Sequence, residues 1–116
     1  MTTYRFSKDA ESLQSLATEG GLLADGVADG RVTSAFAMTH AQELASDTEK
    51  LATVVASTEP VAGLRRKTDH LAALARAVAN RLRALADRPS DGRAARRIEA
   101  ALNDAADTAE QLEKSL

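Results

Sequence analysis

The chain has 116 residues, a formal net charge of −2 and no cysteine or tryptophan. That length bounds a single core of ordinary size. The missing cysteines exclude disulfides and thiolate chemistry, and the near-neutral charge excludes a polyanion binder that works through net charge alone.

Apolar residues make up 44% of the chain and aromatics only 3%, so alanine, leucine and valine carry the hydrophobic content. Alanine is the best helix former, and the residues that favour strands are scarce. In the first segment Leu13, Leu16, Gly20, Leu23 and Val27 recur in steps of three and four, the spacing of one helical face. Ser7 is placed to cap this helix, with Asp9 and Glu11 in its first turn. Gly20-Gly21 weakens it, each glycine costing about 1 kcal/mol relative to alanine, so the helix either runs through or breaks there. Gly30 is a natural stop.

Thr33 or Ser34 caps a second helix with the stripe Ala37, Ala41, Leu44, Thr48, Leu51 and Val55. Thr58-Glu59-Pro60 opens a third helix, with proline tolerated in the first turn. Its stripe is Leu64, Thr68, Leu71, Ala75, Val78, Leu82 and Leu85. Arg88-Pro89-Ser90-Asp91-Gly92 reads as a loop. Ser90 or Asp91 then caps a fourth helix along Ala95, Ile98, Leu102, Ala105, Ala109, Leu112 and Leu116.

The pattern predicts one all-α domain spanning 1–116, with helices over roughly 8–29, 33–57, 60–87 and 91–115. Short turns between long segments imply an antiparallel up-down-up-down four-helix bundle. A helical hairpin that completes its core by dimerising buries the same stripes and is the alternative. No apolar stretch is long enough to span a membrane, and Met1 to Asp9 lacks the apolar run of a conventional signal peptide. The expected location is the cytoplasm, with export that needs no such signal as the alternative. Eleven arginines against four lysines, with abundant alanine, suit the codon supply of a GC-rich bacterial genome.

Motifs for chemistry are sparse. Folding the second and third helices about Glu59 leaves His40 and His70 offset by roughly 13 Å along the axis, too far to share a metal. His40, Glu43 and Asp47 lie on one face at i, i+3 and i+7, but the Glu-x-x-His pairs of di-iron bundles do not occur. Neither histidine is followed by the Lys-Gly-type sequence of histidine phosphotransfer domains: His40 leads Ala-Gln-Glu-Leu and His70 leads Leu-Ala-Ala-Leu. The glycines form no phosphate-binding loop. No catalytic residue, cofactor or metal site is expected. Small and alanine-rich, with a Phe6-Ser7-Lys8-Asp9 opening, the chain loosely resembles actinobacterial type VII secretion substrates in composition. Without a tryptophan there is no Trp-x-Gly turn, however, and Lys8 stands where an acid would follow Tyr4, so no family is assigned.

Charge is the informative pattern. Residues 1–60 carry a net −5, residues 61–97 a net +7 and residues 98–116 a net −4. In a bundle, Arg81, Arg83, Arg88, Arg93, Arg96 and Arg97 flank the last turn and gather at one end. Arginines in the first turns of a helix oppose its macrodipole, a placement that suits a phosphate, a nucleic acid or an acidic protein partner. The alternative is internal pairing with Asp25, Asp29, Asp87, Asp91 and Glu99. Leu22, Met38, Val54 and Leu74 lie beside the core stripes as a candidate apolar contact surface. The expected function is a non-enzymatic interaction or adapter protein, associated with secretion or assembly, that meets a protein partner or a second copy of itself. An anion- or nucleic-acid-binding module built on the arginine end is the second reading, with nucleic acid the less favoured ligand for want of aromatic residues to stack on bases.

Overall fold

A computed structural model describes residues 2–116, which form four helices: α1 (Thr3–Ala28), α2 (Ser34–Ser57), α3 (Arg65–Asp87) and α4 (Gly92–Lys114). They pack as an antiparallel up-down four-helix bundle with extents of 46 × 21 × 16 Å. The closest associations are α1 with α4 and α2 with α3. The α3–α4 and α1–α2 seams are looser, and α1 reaches α3 across the diagonal while α2 and α4 stay apart among the described residues. The section is therefore a rhombus whose short diagonal joins α1 to α3.

Helix α1 begins earlier than Ser7 would place it. Thr2 is the N-cap, its hydroxyl accepting the Arg5 amide at 3.0 Å. The reason is Phe6, which extends the stripe one turn beyond Ala10 and Leu13 and is fully buried. Asp9 thus falls inside the helix and is itself buried. The helix runs unbroken through Gly20-Gly21 because these glycines sit where helices approach. A Cβ on Gly20 would lie 2.7 Å from Leu82 Cδ2 and 3.0 Å from Leu102 Cδ1, and one on Gly21 would lie 2.6 Å from Asn103 Oδ1. Gly30, at φ 69°, ends the helix. Its amide donates to Val27 O and the Arg31 amide to Gly26 O, a Schellman closure.

Thr33 caps α2 by accepting the Phe36 amide at 3.1 Å. Helix α3 starts at Arg65 rather than Pro60, and Leu64 at its head offers no side-chain cap. Gly63, at φ 89°, turns the chain so that Leu64 enters the core; a left-handed residue cannot continue a helix from Pro60. Asp91 caps α4, accepting the Ala94 amide at 3.0 Å.

The core is built from Phe6, Leu13, Val55, Leu71, Val78, Leu82, Leu85 and Leu102, all nearly inaccessible, with alanines between them. Thr48 sits among them, its hydroxyl donating to Leu44 O at 2.7 Å. One chain completes this core. No helix among the described residues is long and apolar enough to cross a membrane.

Candidate functional site

The arginines that cluster in sequence separate in space, because each residue turns 100° about a helix axis. Arg81 and Arg83 leave α3 on different sides. Arg83 points to α2, donating to Glu49 and to Asn80 Oδ1 at 3.1 Å, whereas Arg81 faces α4. Arg96 and Arg97 diverge likewise on α4. Arg96 turns to α1, donating to Asp25 at 2.7 Å, to Glu99 at 2.8 Å and to Asp29. These carboxylates, Glu99 and Asp25 foremost, hold its guanidinium further up from its ordinary pKa. Arg97 faces α3.

Internal pairing thus accounts for Arg83 and Arg96, so the six arginines share the α3–α4 end of the bundle without converging on one site. Arg88 lies 3.8 Å from the Asp91 carboxylate, too long for a hydrogen bond. Arg81, Arg93 and Arg97 make no ion pair among the described residues.

Arg81, Arg88 and Arg97 line one cleft of about 340 Å³ between α3 and α4, over a floor of Ala84, Ala94 and Ile98, with Asp87 as its one acid. Asp91 stands beside it. The Ala94 amide above all, helped by the charges of Arg88 and Arg97, holds that carboxyl below its ordinary pKa. The cap is committed to the backbone of α4, so it neutralises the cleft only in part. A second cleft of about 340 Å³ lies between α2 and α3, lined by Gln42, Ser46, Glu49, Arg83 and Asp87 over Ala45 and Ala86. The Arg83–Glu49 pair occupies its wall.

The His40 face is a different environment from the one its spacing suggests. His40 Nε2 lies 3.6 Å from Glu19 of α1 and Nδ1 lies 3.9 Å from Glu43, while the Phe36 ring stands 5.5 Å away. Asp47 takes no part. No group of three His, Asp or Glu residues among the described residues is arranged to hold a metal. Glu19 was invisible to helix-by-helix reading because it comes from another helix.

The candidate apolar surface also divides. Leu74 packs against the core. Met38 and Val54 are both exposed, but sixteen residues separate them, about 24 Å along α2. Leu22, on α1, is 68% exposed. Asp9 is the remaining unusual group: it is 4% exposed, with Oδ1 3.3 Å from Arg5 Nε and Oδ2 buried without a partner. Burial pushes its carboxyl up, partly offset by Arg5.

No protein-family model, curated protein or solved structure matches this chain.

Proposed function

We propose that this chain is a non-enzymatic interaction protein, an adapter whose contact surface is the α3–α4 end of the bundle. The observation that supports this reading is the contrast among the arginines. Arg83 and Arg96 are tied to carboxylates of neighbouring helices, while Arg81 and Arg97 face a shared cleft without such partners. Charge left unpaired in a concave surface favours an oppositely charged partner and gives it orientation. The cleft supplies charge and shape, which suits recognition.

The test is affinity capture by the wild type and by an Arg81→Gln/Arg97→Gln double variant from the same source lysate. A partner held by the wild type and lost by the variant supports the reading. The same set of proteins on both would sink it. The second reading, an anion- or nucleic-acid-binding module, draws on the same arginines. It requires affinity for an oligonucleotide that falls steeply between low and moderate salt.

A further inference from the structure

We infer that the α3–α4 cleft seats an acidic protein segment, with one aliphatic side chain on its apolar floor and carboxylates against Arg81 and Arg97. This rests on the interaction reading above and assigns the chemistry of the partner.

The cleft has two walls and a floor, each of a different character. Arg81 lies in the last turns of α3 and Arg88 is the non-helical residue that ends it, and both line the cleft. Arg97 faces them from α4, and Ile98 lies between the walls. A volume of about 340 Å³ is at the lower end of small-ligand pockets, room for a side chain or two and not for a whole helix. An aliphatic side chain flanked by carboxylates satisfies both parts: its body covers Ile98, and its neighbours meet the guanidinium groups. All three cations are arginine, whose planar fork binds a carboxylate through two parallel hydrogen bonds.

A nucleic acid fits this surface less well. The positive stretch is short: Asp104 follows Arg97 by seven residues on α4, so it stands on the same side two turns further along the seam. A phosphate chain continuing past the cleft meets that negative charge. Tyr4, Phe6 and Phe36 belong to α1 and α2, and His70 of α3 precedes Arg81 by eleven residues, about 16 Å along the axis, so no ring lines the cleft to stack a base. A phosphate chain also leaves the apolar floor uncovered.

The experiment measures fluorescence anisotropy of three labelled probes on the full chain: a peptide of glutamate and leucine, its glutamine and leucine counterpart, and a single-stranded oligonucleotide. The expected result is binding of the glutamate–leucine peptide alone. Arg81→Gln and Arg97→Gln each weaken it by about tenfold or more, the loss of a charge-assisted hydrogen bond. Arg66→Gln, at the far end of α3, leaves it unchanged, and circular dichroism melts verify that every variant is folded. Tighter binding of the oligonucleotide overturns the assignment in favour of a polyanion. Equal weakening by Arg66→Gln overturns it in favour of diffuse attraction. If no peptide binds but a captured partner still depends on Arg81 and Arg97, the assigned chemistry falls while the interaction reading stands. If no captured partner depends on them, the interaction reading falls.

Discussion

Arg96 of α4 donates to Asp25 of α1 at 2.7 Å, joining residues 71 positions apart. Asp29 and Glu99 share the same guanidinium, so one side chain ties the start of α4 to the end of α1. The arrangement explains how an arginine is tolerated where the helix dipole opposes it. Three carboxylates surround it.

The first prediction follows from that clamp. Arg96→Gln lowers the melting temperature in low salt, and the deficit shrinks as salt screens the exposed charges. Arg81→Gln, which breaks no ion pair, leaves the melt unchanged. A salt-independent loss at Arg96 would mean that packing of its stem, and not charge, supplies the stabilisation.

The glycine pair gives a prediction with opposite signs at adjacent residues. A Cβ at Gly21 meets only the end of Asn103, an exposed side chain that can swing into solvent. Gly21→Ala therefore stabilises the chain by about 0.5–1 kcal/mol through helix propensity. A Cβ at Gly20 meets Leu82 and Leu102, both fully buried. Gly20→Ala costs a net of about 1–2 kcal/mol, as overpacking outweighs propensity. Denaturant unfolding of the two variants checks both signs.

The number of helices, most of their stripes and the antiparallel bundle were legible because buried positions recur with the helical period; Leu116, placed in the last stripe, lies past the end of α4 and is exposed. Thr48 and Thr68 belong to those stripes, and both are buried. Two helix starts were not legible. Phe6 adds a turn to α1 through a single apolar residue, too little for periodicity to register, and Gly63 overrides the helix-start signal of Pro60 through its backbone conformation. The arginine end was legible as a charge run but not as a site. A difference of one or two residues along a helix decides which neighbour a side chain meets, and that separates Arg96 from Arg97 and Arg83 from Arg81.

Asp9 makes stability depend on pH. Its folded pKa is raised, chiefly by burial, above the value of about 3.9 expected in the unfolded chain. The folded state therefore holds the proton more tightly, and its advantage is full below the unfolded pKa. That advantage is lost as pH rises through the folded value. Asp9→Asn removes the buried charge. It should melt higher than the wild type at neutral pH, and the difference should close as pH falls below the ordinary aspartate range. Thermal melts across that acid range read the effect directly. A constant difference at every pH would assign it to packing.

Gly63 tests why α3 begins late. Its φ of 89° disfavours any residue with a Cβ, although nothing stands within 4 Å of where that atom would be. Gly63→Ala should cost about 1–2 kcal/mol from backbone strain alone, with no steric contribution from neighbours. The control is Gly92→Ala, where φ is not in the left-handed region and the added atom meets Ala28 O at an ordinary 3.4 Å. A loss confined to Gly63 would identify backbone conformation as the feature that delays the helix.

Arg93 separates a stability role from a binding role. It lies in the first turn of α4, has no ion pair among the described residues, and places a positive charge where the helix dipole favours a negative one. Arg93→Glu should therefore stabilise the chain by about 0.3–1 kcal/mol at low ionic strength, measured by denaturant unfolding. Arg96→Glu reverses the charge at a residue surrounded by three carboxylates and should destabilise. Opposite outcomes for these two arginines, three residues apart, would show that local stability accounts for Arg96 and does not account for Arg93. If Arg93→Glu is also destabilising, the first-turn arginines are held in place by the fold, and their position no longer supports a partner at this end.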